Sequence, residues 1–345
     1  MDMGKDERLE LLGAPGSPYT RKMLALLRYR RIAHSMIWGG HRNPPEDYPE
    51  PKVKLLPTFY FRGADGALEA AVDSTPITRR LEADYAGRSV IPSDHELAFY
   101  NDLIEDYADE WLTKAMFHFR WYHEPDRKNA GPLLMYWSAN TAPANQAQEM
   151  ADHFTDRQVN RLYVVGSNVV TAETIETSYG RFLDVLDGLI QKRGFVLGAR
   201  PSSADFAIYG QLTQLGWIEP TSAAIMAERS QRVRAWLDLM DDLSGLQPEE
   251  TDWFTPEAAR DALGPLLAEI GRVYAPFLLA NAAAGAAGEE TWDAEIDGRP
   301  WTQPTFPYQV KCLAALRAAY TALPEQVKPP VDAAMAASGC APVFA

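Results

Sequence analysis

Short apolar runs alternate with helical apolar repeats over the first 87 residues. The run from Leu9 to Leu12 predicts a buried strand, because it is bounded by Gly13 and Pro15. Ser17 followed by Pro18 is typical of a helix start, since serine caps a helix and proline suits its first position. We predict that this helix reaches about Arg30, that strands cover His34–Trp38, Thr58–Phe61 and Leu68–Val72, and that a second helix starts at Pro76. The predicted order is β-α-β and then β-β-α.

Beyond residue 95 the apolar positions follow a helical period through most of the chain. One such face comprises Leu97, Tyr100, Ile104, Tyr107 and Trp111. Residues 124–146 are rich in Pro, Asn and Ala, and we interpret them as a loop between two helices. Residues 280–290 (ANAAAGAAGEE) are interpreted as a small-residue linker of low complexity. We predict one more helix, which carries Leu313, Leu316, Tyr320 and Leu323.

The composition is that of a globular protein, with 46% hydrophobic and 23% charged residues in a chain of 345 that can hold two domains. A net charge of −14 argues against a nucleic-acid-binding surface. Two cysteines are too few for a disulfide-linked secreted scaffold. The first ten residues lack an apolar signal core, and no run reaches the roughly 18 uninterrupted apolar residues of a membrane span. We therefore expect a cytoplasmic protein without nucleic-acid or membrane partners.

Three short motifs occur in order in the first part of the chain. They are Ser17-Pro18-Tyr19 at a helix start, Leu56-Pro57-Thr58 at a strand start, and Asp73-Ser74-Thr75-Pro76 between a strand and a helix. Together they resemble the thioredoxin-like N-terminal domain of the glutathione transferase superfamily. Ser202 and Asp205 form an S-x-x-D capping box ahead of an apolar helix, which is similar to the folding motif of that family's all-helical domain.

The resemblance implies an α/β plus all-α fold class. We expect a thioredoxin-like glutathione-binding domain at residues 1–87, a linker at 88–95, and a helical C-terminal domain at 96–245. Residues 246–345 lie beyond the usual length of the family, and we predict a partly helical C-terminal extension there.

Ser17 is the first candidate catalytic residue. A helix start exposes unpaired N–H groups and partial positive charge, which stabilise a thiolate, and a serine hydroxyl can add a hydrogen bond to the sulfur. Tyr19 could supply the same hydrogen bond, and Ser17 could simply cap its helix. The resemblance favours the residue before the proline, so we expect Ser17 to hold the sulfur and Tyr19 to pack or assist.

The other two motifs are candidate glutathione-binding sites. The resemblance implies a cis peptide bond at Pro57 and implies that Leu56 pairs its main chain with the cysteinyl unit, like an added strand. Asp73 would pair with the γ-glutamyl ammonium, while Ser74 and the helix-start N–H groups hold the carboxylate. An ordinary edge-strand proline and a plain helix cap are the alternatives.

The glycine end of glutathione has several candidate partners. They are His41, Arg42, Lys52 and Lys54, which lie in a short proline-rich segment where family members have a helix. Lys54 is favoured because it lies two residues before Leu56.

Three other groups of residues are not assigned to catalysis or to glutathione binding. His118 and His123 are five residues apart, which is not a one-face helical spacing, and no carboxylate or thiol in the sequence pattern completes a metal set, so we expect no metal. A group of acidic residues is interpreted as a solvated helix face; it comprises Glu105, Asp106, Asp109 and Glu110. Three aromatic residues are core positions or the lining of an apolar acceptor pocket; they are Trp111, Phe117 and Trp121.

We therefore expect a glutathione transferase, with glutathione as co-substrate and no metal. Its thiolate would attack an apolar small-molecule electrophile in detoxification chemistry, and the protein could be a homodimer. The alternative is a non-catalytic binding or scaffold protein of the same fold, which the unusual length and the shortened segment before Pro57 favour.

Overall fold

The first part of the chain forms a four-stranded mixed sheet with two helices. The computed structural model describes residues 8–39 and 45–345. The elements are β1 (Leu9–Gly13), α1 (Pro18–Arg30), β2 (His34–Trp38), β3 (Thr58–Arg62), β4 (Leu68–Ala71) and α2 (Ser74–Asp84). The strand order is β2-β1-β3-β4, with β1 parallel to β2 and β3 antiparallel to both of its neighbours. The predicted β-α-β, β-β-α order is confirmed.

Helices make up most of the remaining chain. They are α3 (His95–Tyr107), α4 (Thr113–Trp121), α5 (Glu124–Ser138), α6 (Ala144–Val159), α7 (Ala172–Arg193), α8 (Ser203–Trp217), α9 (Pro220–Arg229), α10 (Gln231–Met240), α11 (Pro256–Glu269), α12 (Ala275–Ala287), α13 (Pro307–Thr321) and α14 (Lys328–Ser338). A π-helical turn at Ala108–Leu112 joins α3 to α4, and another at Ile270–Tyr274 joins α11 to α12. A separate hairpin contains β5 (Thr291–Ile296) and β6 (Arg299–Pro304). The thioredoxin-like plus all-helical fold class is confirmed.

The sheet region and the helical region share one hydrophobic core, in which α1 packs on α8. Gly210 makes this close approach possible, because a Cβ atom at that position would lie 2.5 Å from the main-chain oxygen of Pro18. The start of α1, which carries Ser17, is thereby fixed against the helical region.

The predicted capping box at the start of α8 is confirmed. The side chain of Asp205 accepts hydrogen bonds from the main-chain N–H groups of Ser202 and Val196, both at 2.9 Å. Asp205 is fully buried, so water cannot take the place of its carboxylate as the acceptor for these two N–H groups.

Two assignments made from the sequence are wrong. The expected loop at 124–146 is largely helix α5, which begins with Pro125 in its first turn, where a proline is tolerated. The expected linker at 280–290 is largely the end of α12, because alanine has the highest helix propensity and Asn281 and Ala284 are buried on one side. Low sequence complexity here reflects a closely packed helix.

The long helical segment Pro256–Ala287 is apolar enough, by length and composition, to cross a membrane. In the structure 61% of its most apolar window is buried inside the protein, as in a core helix. Its side chains Leu263, Leu266 and Phe277 belong to the shared core.

The buried cap at Asp205 predicts a stability effect. Asp205→Ala should lower the free energy of unfolding by about 2 to 4 kcal/mol, because it leaves two buried N–H donors unpaired. Asp94→Ala is the matched control, since Asp94 caps α3 at an exposed position and should cost only about 1 kcal/mol. Denaturant unfolding of both variants measures the difference, and equal losses would contradict it.

Candidate functional site

A cavity of about 420 Å³ lies where α2, α3 and the start of α13 meet the segment before β3. Five of the seven predicted site residues line it; they are Tyr19, Leu56, Pro57, Asp73 and Ser74. Polar side chains that the sequence did not assign to a site also line it; they are Asp106, Asp109, Glu110, Lys114, Tyr308 and Gln309. The site is therefore formed by both the thioredoxin-like region and the helical regions.

Ser17 adjoins the cavity through Leu56. Ser17 is the N-cap of α1, and its hydroxyl accepts a hydrogen bond from the Thr20 N–H at 3.2 Å. The same hydroxyl donates to the main-chain oxygen of Leu56 at 3.1 Å. The Leu56–Pro57 peptide bond is cis, as the resemblance implied. The first two motifs therefore meet at one hydrogen bond.

The phenol of Tyr19 is already engaged by the protein. Its hydroxyl donates to the main-chain oxygen of Asp109 at 2.7 Å and lies 2.9 Å from the Thr113 hydroxyl. Burial raises the pKa of Tyr19 well above its usual value, and the carboxyls of Glu110 and Asp109 raise it further. Tyr19 is therefore a neutral phenol whose proton points at a backbone carbonyl.

Asp73 and Ser74 begin α2, two residues earlier than the start predicted at Pro76. Asp73 caps the helix, and its second carboxylate oxygen accepts a hydrogen bond from the Tyr308 hydroxyl at 2.9 Å. The buried hydroxyl of Ser74 accepts a hydrogen bond from Lys22 Nζ at 3.0 Å. Because the Ser74 oxygen acts as an acceptor towards Lys22, its own proton is directed away from the ammonium.

Lys22 is the main residue of the site that sequence reasoning missed. It is buried on α1 and forms ion pairs with Glu105 Oε1 at 2.9 Å and Asp109 Oδ2 at 2.6 Å. Burial lowers the pKa of Lys22, but the two carboxylates outweigh burial and the pKa is raised. A lysine among the apolar positions of α1 is the signal that could have revealed this network, since buried charges require partners.

The expectation that Glu105, Asp106, Asp109 and Glu110 form a solvated helix face is wrong. Residues from the C-terminal part of the chain cover them: the Tyr274 hydroxyl donates to Asp106 Oδ2 at 2.6 Å, and Gln309 Nε2 donates to Glu110 Oε2 at 3.1 Å. Burial raises the pKa of Asp106 to about 7 and that of Glu110 to about 8. The segment that carries them contains the π-helical turn at Ala108–Leu112, a feature that is frequent at functional sites.

Lys114 provides a second buried amino group at the cavity. Its Nζ donates to the main-chain oxygen of Val165 at 3.2 Å and lies 4.0 Å from the centre of the Phe277 ring. Burial lowers the pKa of Lys114 to about 7, although the nearby Glu110 acts in the opposite direction.

Lys54 does not line the cavity. It forms an exposed ion pair with Glu50 at 3.1 Å, and Lys52 is also exposed. The other two candidates for the glycine end of glutathione, His41 and Arg42, lie outside the described residues.

The three aromatic candidates for an acceptor pocket are not among the residues that line the cavity. Trp111 is buried and donates to the Ser178 hydroxyl at 3.2 Å, Trp121 is buried against Phe154, and Phe117 packs on the core. Aliphatic and aromatic side chains elsewhere supply the apolar lining; they are Val53, Leu55, Val164, Val165 and Phe306.

His118 and His123 do have a carboxylate beside them, contrary to expectation. Glu176 Oε1 lies 3.0 Å from His118 Nε2 and 3.1 Å from His123 Nε2. The sequence did not reveal this carboxylate because it lies on α7, far from the two histidines along the chain.

The buried carboxyl of Glu110 predicts a pH-dependent stability. Glu110 is protonated in the fold up to about pH 8 but ionises near 4.5 when unfolded, so the folded state binds more protons between these values and stability falls as pH rises. Glu110→Gln should therefore gain roughly 3 kcal/mol over wild type between pH 5 and pH 8.

Thermal or denaturant unfolding at pH 5, 6.5 and 8 measures this gain. Glu149→Gln, an exposed change on α6, is the control and should show no such trend. A difference between Glu110→Gln and wild type that stays constant over this pH range would contradict the assignment.

Comparisons with known proteins agree with the architecture. A family model described as glutathione S-transferase, N-terminal domain, matches residues 11–89, and one described as glutathione S-transferase, C-terminal domain, matches residues 169–239. A comparison with curated proteins finds no match.

Three solved structures illustrate the similarity. A GST-like protein from Pseudomonas syringae is 16% identical over 68% of this chain and 66% of its own, with a TM-score of 0.38. The Tau class glutathione S-transferase from mango, Mangifera indica, is 17% identical over 74% and 97%, with a TM-score of 0.39. A glutathione transferase family member from Pseudomonas fluorescens Pf-5, with bound glutathione, is 18% identical over 70% and 99%, with a TM-score of 0.31.

The two domain models match in the same order as the observed mixed sheet and helical region. Residues 11–89 and 169–239 therefore match the two domains of the glutathione S-transferase family.

Proposed function

We propose that this protein binds glutathione in the cavity beside α2 and presents its sulfur, as a thiolate, to an apolar electrophile. The observation that carries the proposal is the pair formed by Asp73 and Ser74. A carboxylate and an oriented hydroxyl stand side by side at a helix N-terminus and line a cavity of about 420 Å³. Such a volume suits a ligand of small-molecule size.

The γ-glutamyl end of glutathione carries one positive and one negative group, and this pair offers a partner to each. Asp73 accepts from the ammonium, and the Ser74 hydroxyl with the first N–H groups of α2 donates to the carboxylate. Lys22 orients the Ser74 hydroxyl. Since Glu105 and Asp109 neutralise Lys22, the carboxylate is held by hydrogen bonds and the helix dipole more than by net charge.

The hydrogen bond between Ser17 and Leu56 supports a role for Ser17 at the sulfur. A peptide that pairs with Leu56 brings an N–H group to the Leu56 carbonyl, which now accepts from Ser17. The Ser17 hydroxyl is then released and can donate to the nearby sulfur. The N-terminus of α1 adds partial positive charge, so the thiol ionises more easily and becomes the nucleophile.

The remaining cavity wall supports an apolar acceptor. Its apolar lining comprises Val53, Leu55, Val164, Val165 and Phe306. To bind the glycine carboxylate of glutathione, Lys54 would have to leave its ion pair with Glu50 and turn towards the cavity. A cytoplasmic location, detoxification chemistry, a homodimer and the domain limits 1–87, 96–245 and 246–345 remain part of the proposal.

A specific observation also favours the non-catalytic alternative. The Tyr308 hydroxyl already donates a hydrogen bond to the Asp73 carboxylate, and the Ser17 hydroxyl already donates one to the Leu56 carbonyl. A scaffold protein that has lost glutathione binding would keep such internal contacts. The variants Ser17→Ala and Tyr308→Phe, described next, distinguish these two functions.

Ser17→Ala should reduce turnover of a chloronitroaromatic acceptor about 10-fold or more, because the thiolate loses its hydrogen-bond donor. The dissociation constant for glutathione should change less than about 3-fold, since the main-chain and γ-glutamyl contacts remain. Steady-state kinetics and calorimetric titration give the two values.

Two controls accompany Ser17→Ala. Thr255→Ala removes a side-chain cap from α11 and should leave turnover unchanged. Tyr19→Phe should also retain most of the turnover, because its hydroxyl donates to Asp109. Wild-type turnover in Ser17→Ala would remove Ser17 from the catalytic role, and a large loss in Tyr19→Phe would transfer the role to Tyr19.

Tyr308→Phe should tighten glutathione binding about 3- to 10-fold. In wild type the hydrogen bond from Tyr308 to Asp73 must break before the carboxylate can bind the ligand ammonium, and the variant lacks that hydrogen bond. Tyr320→Phe on α13 is the matched control, since its hydroxyl bonds the exposed Asp332 at 2.6 Å. Calorimetric titration compares them with wild type. Equal affinities would remove Tyr308 from this role, and binding by neither wild type nor Tyr308→Phe would support the scaffold function.

A further inference from the structure

We propose that His118, His123 and Glu176 form a binding site for a divalent first-row transition metal, best matched by zinc. The site does not share residues with the glutathione cavity and does not depend on the proposed transferase function. Its ligand atoms would be the Nε2 atoms of the two histidines and Oε1 of the glutamate. Two imidazoles and one carboxylate are a ligand set that zinc takes in proteins.

The backbone explains how two histidines five residues apart come together. Helix α4 ends at Trp121, and His123 has an extended conformation with φ −85° and ψ 138°. The His123 ring therefore turns back beside His118, and the two ring centres are 5.4 Å apart. An uninterrupted helix would have placed these side chains on different faces.

The distances between ligand atoms fit a small cation. Glu176 Oε1 lies 3.0 Å from His118 Nε2 and 3.1 Å from His123 Nε2, and all three atoms lie within 4.8 Å of one another. Tetrahedral zinc with bonds of about 2.0 to 2.1 Å separates its ligand atoms by about 3.3 Å. The carboxylate oxygen lies within a few tenths of an ångström of this separation from each nitrogen, and the two nitrogens lie within 4.8 Å of each other.

An unpaired nitrogen points independently to a ligand. His123 Nε2 is buried and has no hydrogen-bond partner among the described residues, although it lies near the Glu176 carboxylate. A buried nitrogen without a partner is costly, and coordination of a metal would satisfy it.

The surroundings of His118 hold it in the form that binds metal. Its ring is fully buried, and its Nδ1 lies 2.8 Å from the Ser167 hydroxyl. When Nδ1 carries the proton and donates to Ser167, Nε2 presents its lone pair to the ion, as in many protein zinc sites.

The site is accessible and connects parts of the fold. The Glu176 side chain is 38% exposed, so an ion and a fourth ligand, such as water, can enter from solvent. A bound metal would tie α4 to α7. Through Ser167 it would also steady the chain segment that contains Val164 and Val165, two residues of the cavity wall.

Zinc titration of the full chain tests the proposal. The protein, without an affinity tag, is treated with a chelator, dialysed and titrated with ZnCl₂ in a calorimeter, and CoCl₂ is then used as a spectroscopic probe. We expect one zinc per chain, a higher thermal unfolding midpoint with zinc, and the visible absorption bands of low-coordinate cobalt.

Glu176→Gln and His123→Asn are the test variants, and each should weaken zinc binding about 10-fold or more. Both positions are partly exposed, so the variants should fold, which circular dichroism without metal checks. His153→Asn, an exposed histidine on α6, is the matched control and should bind zinc like wild type. Substoichiometric zinc in wild type, or wild-type affinity in both test variants, would overturn the proposal.

Discussion

The buried ammonium of Lys22 is the interaction on which the site depends. It joins α1 to α2 through Ser74, to α3 through Glu105, and to the π-helical turn after α3 through Asp109. A buried charge is tolerated only when it is paired, and removing one partner of such a network typically costs about 3 to 5 kcal/mol. The position of the Ser74 hydroxyl is therefore coupled to the packing of the thioredoxin-like region on the helices, and the interface between these regions also forms the candidate site.

The C-terminal part of the chain changes the character of this interface. Residues beyond 239, where the match to the C-terminal family model ends, place Tyr274 on Asp106, Gln309 on Glu110 and Tyr308 on Asp73. They turn a helix face that would otherwise contact solvent into a buried cavity wall. Burial then raises the pKa of Asp106 and of Glu110, so the cavity carries less negative charge near neutral pH than its residue types suggest.

Local signals predicted the thioredoxin-like region well. Ser17 as a cap, the proline at the start of β3 and the Asp73-Ser74 helix start depend on a few adjacent residues, so the sequence pattern was sufficient. The remainder depends on residues distant in the chain. The burial of Glu110 requires α13, and the carboxylate beside His118 comes from α7, so neither could be derived from spacing. The alanine-rich α12 looked like a linker because its packing partners were unknown.

The most direct measurement of the central claim is a crystal structure of the chain soaked with glutathione. We expect the γ-glutamyl group at Asp73 and Ser74, the cysteinyl main chain at Leu56, and the sulfur within hydrogen-bond distance of the Ser17 hydroxyl. Tyr308 should then have left the Asp73 carboxylate. An empty cavity at saturating glutathione, with the Tyr308–Asp73 hydrogen bond intact, would contradict the account.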